Sequence, residues 1–302
     1  MKREVLNMPE WLDWPVVRKW GMTIVLAMIA LMILFPIVIT VTNSFMSEQE
    51  IGINYNLIGE MMSQGEGQKD EFVNLKVIPD WVSFEQFKKV LITSPKFLQM
   101  FWNSVFMVVP IIAGQLIVAS LAAYTFSVLR FPGRDRLFMV YLIAMLMPFQ
   151  VTLVPNFIIA DKLGILNSVA AIILPGIFST FGVFLLRQFM LHIPYSLIEA
   201  AKLDGAGHFR IFFQIILPLV KPGLAALVVL LFADYWNMVE QPLIFLDDMD
   251  KQPLSIYLSY IREGERGIGF AASLLYMTPM VLLFLYAESY FIKGIQSSGI
   301  KG

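Results

Sequence analysis

The hydrophobic residues of this chain are grouped into six long blocks that are separated by polar segments. The blocks cover residues 20–42, 103–129, 137–160, 167–190, 219–246 and 269–292. Each is longer than the roughly 20 residues that a helix needs to cross a bilayer. The first block also exceeds the roughly 7–15 residues of a signal-peptide hydrophobic core, and no convincing cleavage site follows it. The pattern predicts an all-α membrane protein with six transmembrane helices, and residues 1–302 are expected to form a single transmembrane domain.

Three polar segments lie before and between these blocks. Residues 1–19 combine cations with Trp11 and Trp14, which predicts a segment lying on the membrane surface. Residues 43–100 form a long polar loop, either a small external subdomain that touches a partner or a solvated loop of no special role. Residues 191–222 are polar, charged and punctuated by glycine and proline, so they should lie in water.

Charge predicts the side of the membrane on which each segment lies. Six spans place both termini on one side, together with residues 130–136 and 191–222. The cations on that side are the N-terminal ones together with Arg130, Arg134, Arg136, Arg187, Lys202, Arg210, Lys221, Lys293 and Lys301. The acids expected on the other side are Asp161, Asp247, Asp248, Asp250, Glu263 and Glu265. Because Lys and Arg mark cytoplasmic loops, we expect a multi-pass protein of the cell membrane with both termini cytoplasmic.

The composition agrees with a membrane protein and argues against several other classes. Hydrophobic residues make up 58% of the chain and the mean hydropathy is +0.71, whereas apolar residues make up about 45–50% of a typical soluble domain. A formal net charge of −1 gives no strong basic field, so nucleic acid is not an expected partner. The sequence has no cysteine, no P-loop and no GxSxG or HExxH motif. We therefore expect no catalytic residues and no metal site, and we do not expect an enzyme.

Residues 191–222 have the pattern of two short helices joined by a glycine turn. Ser196 and Glu199 have the spacing of a capping box, which predicts a helix over residues 197–203. Residues 204–207 follow as its exit, where glycine can supply a positive φ. A second, apolar helix is predicted over residues 208–217 and should be broken at Pro218 and Pro222. Such an elbow on a membrane surface suits docking to a soluble partner.

The same segment resembles a known family. It carries Glu-Ala-Ala at residues 199–201, Asp-Gly-Ala at 204–206 and Ile-Leu-Pro-Leu at 216–219. These motifs closely resemble the EAA loop of binding-protein-dependent ABC importer permeases, in the version of the carbohydrate-uptake branch that includes the maltose-type permeases. The resemblance extends from about residue 35 to the C-terminus. It implies the type I ABC importer permease fold, with a cytoplasmic coupling helix between helices 4 and 5.

The resemblance also implies site residues and partners. In the family, the coupling helix lies in a groove of a separate ATPase subunit. The residues that match the coupling motif are Glu199, Ala200, Ala201, Asp204, Gly205 and Ala206. The implied partners are a second permease subunit in a heterodimer, ABC ATPase subunits, an extracytoplasmic solute-binding protein and the lipid bilayer. ATP and magnesium would be bound by the ATPase, so no cofactor is expected in this chain.

Polar residues inside the apolar blocks are candidates for the substrate pathway. A charged group at the bilayer centre costs at least about 2.5 kcal/mol if it faces lipid, so it should face the bundle interior. Pro148 and Pro155 interrupt the third block, either to line a pore or as packing kinks. The candidates are Gln150, Asn156, Asp234, Tyr235, Trp236, Asn237, Glu240 and Gln241. Residues 234–243 resemble the family's fifth-helix signature and offer aromatic and amide groups suited to a sugar; alternatively, Asp234 and Glu240 pair with the second permease.

The resemblance thus implies a permease subunit of an ATP-driven, binding-protein-dependent importer of sugars or oligosaccharides, forming half of the translocation pathway. The alternative is a stand-alone secondary carrier or channel for a small polar solute. That class should show internal repeats and several ionisable relays at the membrane midplane, and the sequence has no such repeat. A membrane hydrolase would need a nucleophile and a base, for which two histidines and no cysteine give little support. The transported substrate is not readable from this chain.

Overall fold

A computed structural model describes residues 14–63, 76–261 and 265–299 of the chain. Within these ranges the chain is mostly helical and contains no β-strand, which confirms the predicted all-α class. Most of the predicted interfacial segment, residues 1–13, lies outside the described residues, as do Glu263 and Lys301.

The helices follow one another with short breaks. The α-helices are α1 Trp14–Asn43, α2 Glu48–Ser63, α3 Glu85–Lys88, α4 Pro95–Val128, α5 Arg134–Met145, α6 Phe149–Lys162, α7 Ala170–Ile177, α8 Thr180–Leu191, α9 Tyr195–Leu203, α10 His208–Ile211, α11 Leu217–Leu219, α12 Lys221–Trp236, α13 Glu240–Phe245 and α14 Arg266–Gly299. Single π-helical turns lie at Lys89–Thr93 and Phe212–Ile216, and 3-10 helices lie at Met249–Lys251 and Leu254–Tyr260.

Four helical stretches among the described residues are long and apolar enough to cross a membrane. They are Lys19–Asn43, Pro95–Val128, Ala170–Leu191 and Arg266–Glu288. Two further stretches qualify only as bent pairs: α5 with α6, bent by 98°, and His208–Leu219 with α12, bent by 72°. The described residues therefore contain four candidate spans, or up to six if each bent pair is one span.

Proline explains the first bend only in part. Pro148 immediately precedes α6, and the chain turns there because proline cannot donate the hydrogen bond that would continue α5. Pro155 lies inside α6, which continues past it. The predicted interruption of the third block is therefore found at Pro148, whereas the second predicted break, at Pro155, is wrong.

The chain divides into two compact units. The first comprises Met1–Ile92 and Ile261–Leu274. In it, α2 and the start of α14 contribute a small core in which Met46, Ile51 and Tyr55 pack against Phe270. The Asn43 amide donates to the Tyr55 hydroxyl over 2.7 Å, which ties the end of α1 to α2. The predicted polar loop at residues 43–100 is thus largely helical where it is described, beginning with α2.

The second unit comprises Thr93–Tyr260 and Leu275–Gly302, and it is organised around α4. Helices α7, α8 and α12 pack against α4. Glycines make the closest approaches possible: a Cβ at Gly114 would lie 2.7 Å from Ile177, and a Cβ at Gly176 would lie 3.0 Å from Ile111. Small residues at helix contacts are the usual means of close packing in membranes, where no hydrophobic effect drives helices together.

Candidate functional site

The helical elbow at residues 195–219, formed by α9, α10, the π-helical turn and α11, is closed by a glycine turn. Gly205 has a φ of +76°, a conformation that costs a residue with a Cβ about 1–2 kcal/mol. The Ala206 N–H donates to the Ala201 carbonyl over 2.9 Å, and the Gly205 N–H donates to the Lys202 carbonyl over 3.0 Å. These two bonds form a Schellman motif, which satisfies carbonyls that the end of α9 leaves unpaired. The predicted glycine turn is confirmed.

The start of α9 differs from the prediction. The helix begins at Tyr195 rather than at residue 197, with Pro194 as the residue before it. No side chain caps this helix end, so the predicted capping box of Ser196 and Glu199 is wrong. Ser196 is already the second helical residue, and its hydroxyl is therefore displaced from the position at which an N-cap accepts from the first turn.

The residues of the coupling motif on α9 lie partly on its buried face and partly on its exposed face. Ile198 and Ala201 are buried, at 3% and 8% exposure, because they face the rest of the chain. Glu199 and Ala200 are exposed. Leu203 is 89% exposed, although it is a large apolar side chain. Only part of the Glu-Ala-Ala motif therefore lies on an accessible surface, and the structure adds Leu203 to that surface.

The second half of the elbow is attached to α4 through aromatic residues. The Tyr124 hydroxyl lies 3.0 Å from Nδ1 of His208, and the Tyr124 and Phe212 rings pack edge to face with centroids 5.3 Å apart. Phe212 is 3% exposed, whereas Phe209 and Phe213 are 78% and 57% exposed. The buried ring holds the elbow in place, and the two exposed rings join Leu203 as accessible apolar groups.

The elbow ends two residues later than predicted. The stretch that begins at His208 continues to Leu219, so Pro218 lies within its last turn instead of breaking it. The 72° bend comes at Val220, after which Pro222 occupies the first turn of α12. Proline is well tolerated there because the first turn of a helix has no intrahelical acceptor for its missing N–H.

A second candidate region is a cavity of about 970 Å³ in the second unit. It lies where three pairs of consecutive helices are interrupted: between α5 and α6, between α7 and α8, and between α12 and α13. Helix breaks at membrane depth leave backbone groups unpaired, and they are stable where those groups face protein or a water-filled space. We call this region the polar cavity.

The polar cavity brings together seven of the eight residues predicted for the substrate pathway. They are Gln150, Asn156, Asp234, Tyr235, Asn237, Glu240 and Gln241. The Gln150 amide donates to both carboxylate oxygens of Glu240, over 3.3 and 3.2 Å, although the residues are 90 positions apart. The Tyr235 hydroxyl donates to the Gly176 carbonyl over 3.3 Å, at the end of α7.

Trp236 is the predicted residue that does not line the cavity. Its side chain is 2% exposed and stacks against Phe232 and Tyr276, with ring centroids 5.0 and 6.0 Å away. The indole N–H donates to the Tyr276 carbonyl over 3.1 Å. Successive residues of a helix point in directions about 100° apart, so Trp236 turns inward while Tyr235 faces the cavity.

Other polar lining residues were not predicted. Thr152, Ser179 and Thr180 line the polar cavity. Ser179 and Thr180 follow Pro175 and Gly176 in an otherwise apolar block, and such a cluster indicates a helix break within a span. The aromatic lining comes from Phe149, Phe178, Phe181 and Tyr235.

The charge of the polar cavity is acidic. Asp234 and Glu240 contribute two carboxylates, and no Lys, Arg or His is found among the described residues that line it. Within the same described ranges, no group of three or more acidic, histidine or cysteine side chains is arranged to hold a metal ion. The lining therefore offers hydrogen-bond acceptors, amides, hydroxyls and aromatic faces.

Comparisons with known proteins agree on the class. The family model described as "Binding-protein-dependent transport system inner membrane component" matches residues 95–293. The chain is similar to the arabinooligosaccharides transport system permease protein AraQ of Halalkalibacterium halodurans, with 31% identity over 94% of this chain and 97% of that protein. It is also similar to the lactose transport system permease protein LacG of Rhizobium radiobacter, with 34% identity over 66% and 74% of the two chains.

A solved structure has the same fold. A chain of a bacterial ABC transporter involved in the import of the acidic polysaccharide alginate superposes with a TM-score of 0.76, at 21% identity. The match covers 94% of this chain and 100% of that chain. The two chains therefore share the same fold.

Proposed function

Because the chain belongs to the family of binding-protein-dependent transport system inner membrane components, we propose that it is the permease subunit of an ATP-driven sugar importer. Its relatives named for arabinooligosaccharides and lactose support a sugar as the cargo. The observation that carries the proposal in this chain is the polar cavity, in which amides, hydroxyls and aromatic rings meet at three helix breaks. The chain would form half of the pathway and would not act as an enzyme.

The proposed topology has six spans, counting each bent pair as one, within a single transmembrane domain over residues 1–302. Contacts between segments assigned to the outer side support it. The Asn103 amide donates to the Asp250 carbonyl over 2.7 Å, and the Lys251 ammonium donates to the Asn167 carbonyl over 3.0 Å. These contacts bring together the start of α4, the loop before α7 and the loop after α13, all of which lie outside in this topology.

Contacts between segments assigned to the cytoplasmic side support the same topology. The Arg130 guanidinium lies 5.3 Å from the ring centroid of Tyr195, and the Arg187 guanidinium lies 3.9 Å from that of Phe138. These contacts bring together the end of α4, the start of α5, the end of α8 and the start of α9. Residues 1–19 and 191–222, with both termini, would then be cytoplasmic, and residues 43–100 would be external.

The elbow is proposed to be the coupling helix that docks on a separate ATPase. Leu203, Phe209 and Phe213 are exposed apolar groups of the kind that become buried at the centre of a protein interface. Glu199 and Ala200 would contact the partner beside them. Asp204, Gly205 and Ala206 would fix the angle between the two halves of the elbow, so that a movement of the ATPase is transmitted to α12 through a rigid turn. ATP and magnesium would be bound by the ATPase.

The charge of the polar cavity favours a neutral sugar over an acidic one. Asp234 and Glu240 would repel a carboxylate or phosphate, and no cation among the described lining residues would offset that repulsion. Carboxylates and amides hydrogen-bond well to sugar hydroxyls, and the exposed Phe178 ring offers an apolar face. A second permease subunit would close the other side of the pathway, and an extracytoplasmic solute-binding protein would deliver the sugar.

Co-purification tests the class of the protein. The tagged chain is solubilised gently from native membranes, and the proteins that remain bound to it are identified by mass spectrometry. We expect a second permease and an ATPase. A lone homogeneous species, recovered under conditions that preserve a known importer, would contradict the proposal and favour a stand-alone carrier.

Cysteine labelling tests the topology. The sequence contains no cysteine, so each introduced cysteine is the only thiol in the chain and no native residue has to be removed first. Leu203→Cys and Met249→Cys both replace exposed side chains, at 89% and 52% exposure. In cells that express the chain without its ATPase, a membrane-impermeant maleimide should label Met249→Cys from outside the cell and Leu203→Cys only after the membrane is opened. Labelling of both from the same side would contradict the proposed topology.

A further inference from the structure

A second cavity lies outside both regions described above. It has a volume of about 550 Å³ and is lined by Arg130, Phe131, Gly133, Arg134, Asp135 and Arg136. These residues connect the end of α4, a candidate span, to the start of α5, which with α6 forms a bent pair that is a further candidate span. Three arginines and one aspartate line it, which leaves an excess of positive charge. We call it the arginine cavity.

Two of its three arginines have no acidic partner. The Arg134 guanidinium forms an ion pair with the Asp135 carboxylate over 3.0 Å. Arg130 stacks on Tyr195, and neither Arg130 nor Arg136 forms an ion pair with a carboxylate in the part of the chain that the structure describes. Both side chains are exposed, so their guanidinium groups are free to bind an anion.

The surface next to the arginine cavity is apolar. Along α5, the side chains of Leu137, Met139, Val140 and Ile143 are 49–60% exposed, and they begin immediately after Arg136. In the topology proposed above, α5 begins a span, and this surface would therefore face hydrocarbon. Cations at the membrane surface followed by an apolar surface within it match the two parts of an anionic phospholipid, whose phosphate would contact the arginines and whose chains would lie along α5.

We propose that the arginine cavity binds the phosphate group of an anionic phospholipid of the cytoplasmic leaflet. The assignment rests on the topology proposed above, which places residues 130–136 on the cytoplasmic side. Guanidinium groups suit this ligand because their planar donors match phosphate oxygens in pairs. The apolar surface of α5 distinguishes a lipid from a free phosphate ion, since a free ion would gain nothing from it.

The site lies beside the proposed coupling helix. Arg130 is 5.3 Å from the ring centroid of Tyr195, which is the first residue of α9. A phosphate held by Arg130 would therefore fix a side chain that also contacts the elbow. Anionic lipid at this position would stabilise the junction between the membrane-embedded helices and the elbow.

Lipid titration tests the proposal. The full chain is placed in phosphatidylcholine nanodiscs, and tail-labelled phosphatidylglycerol is titrated in at low salt. We expect saturable binding that is about fivefold weaker for each arginine removed, in Arg136→Gln and again in Arg130→Gln/Arg136→Gln. Arg136→Gln is informative alone because the cation–π contact with Tyr195 is made by Arg130 and stays intact. The control Lys88→Gln/Lys162→Gln also removes two exposed cations and should bind phosphatidylglycerol as the unaltered protein does.

The same titration can overturn the proposal. Equal binding of phosphatidylglycerol by the double-arginine variant and the lysine control would show that no site is formed by these arginines. Displacement of the lipid by millimolar inorganic phosphate, to the same extent whatever the acyl chains, would assign the cavity to a free phosphate ion and contradict the lipid. Failure here is distinguishable from failure of the proposed function, because co-purification is measured on the unaltered chain and reports on the ATPase whether or not the variants lose phosphatidylglycerol binding.

Discussion

The elbow and the polar cavity differ in how far apart in the sequence their hydrogen-bonded residues lie. The turn of the elbow is held by hydrogen bonds between residues five or fewer positions apart, from Ala206 to Ala201 and from Gly205 to Lys202. The polar cavity depends on contacts across 90 positions, between Gln150 and Glu240, and across 59 positions, between Tyr235 and Gly176. A local motif can be recognised from the order of its residues, whereas a cavity depends on how whole helices break and pack.

The two regions also differ in what their exposed groups are suited to bind. The elbow presents large apolar side chains, of which Leu203 is 89% exposed and Phe209 78%. The polar cavity presents carboxylates, amides and hydroxyls. Apolar groups on a polar surface indicate a protein partner, and polar groups that line an open cavity between apolar helices indicate a polar solute. Changes in the elbow should therefore affect coupling, and changes in the cavity should affect passage of the solute.

The largest effect is expected at Gly205. In Gly205→Pro, proline requires a φ near −65° where the turn has +76°, and it removes the N–H that binds the Lys202 carbonyl. Proline at this position costs about 3 kcal/mol, and 1.4 kcal/mol corresponds to a tenfold change in an equilibrium constant. We therefore expect sugar uptake to fall by more than about tenfold. Membrane insertion should remain normal because residue 205 lies outside the candidate spans, whose apolar sequence is unchanged. Uptake and the amount of inserted protein are measured together.

Gly207→Ala is the matched control for this change. Gly207 lies two residues further on in the same turn, has a φ of −74° and also has open space around a Cβ. Its uptake should match that of the unaltered chain, since the free energy of unfolding should change by no more than about 0.5 kcal/mol. Normal uptake by Gly205→Pro would contradict the coupling role of the elbow.

A smaller effect is expected at Leu203. In Leu203→Ser, an exposed leucine is replaced, so the chain alone should keep its thermal stability. If the ATPase buries this side chain, its loss costs about 1.5–3 kcal/mol, which corresponds to roughly tenfold or more in the Kd for the ATPase. Leu163→Ser, at a 64% exposed leucine that follows α6, is the control and should leave the Kd unchanged. Equal Kd values for the two variants would remove Leu203 from the docking surface.

The next effect tests the polar cavity. Glu240→Gln keeps the shape of the side chain but replaces two acceptor oxygens, both within reach of the Gln150 amide, by one acceptor oxygen and an NH2 group that donates. A hydrogen bond contributes about 0.5–1.5 kcal/mol, so the maximal rate of sugar uptake should fall by about twofold to tenfold, while ATPase binding stays normal. Asp161→Asn removes an acid from the same helix as Gln150 but outside the cavity lining, and it should transport normally. A reduced ATPase affinity in Glu240→Gln would mean that the two regions are not separable.

Sequence patterns predicted what depends on local rules. The apolar blocks located the candidate spans, and the glycine at residue 205 located the turn, because length and backbone freedom are properties of short stretches. The patterns failed where the effect of a residue depends on its exact position in a helix. Pro155 was expected to break a helix and instead lies within α6, and Ser196 was expected to cap α9 and instead lies in its first turn.

Most residues of the polar cavity were singled out from the sequence, but the way in which the helices arrange them was not predicted. Polar side chains in apolar blocks are conspicuous, so seven of the eight candidates do line the cavity. The sequence does not show which side of α12 faces inward, because α12 is apolar on nearly all its faces and has no clear polar stripe. Ser179 and Thr180 were missed for a related reason, since only the break between α7 and α8 turns them toward the cavity.

The smallest effect is expected at Trp236, which is packed inside the protein, whereas its neighbour Tyr235 lines the polar cavity. In Trp236→Phe, the ring stack with Phe232 can persist, but the hydrogen bond from the indole to the Tyr276 carbonyl is lost. We expect the free energy of unfolding in detergent to fall by about 1 kcal/mol and the rate of sugar uptake to stay unchanged. Trp102→Phe, at a 54% exposed tryptophan, is the control and should change neither quantity. A reduced uptake rate with unchanged stability would show that Trp236 contacts the sugar, and the division between a packed Trp236 and a cavity-lining Tyr235 would then be wrong.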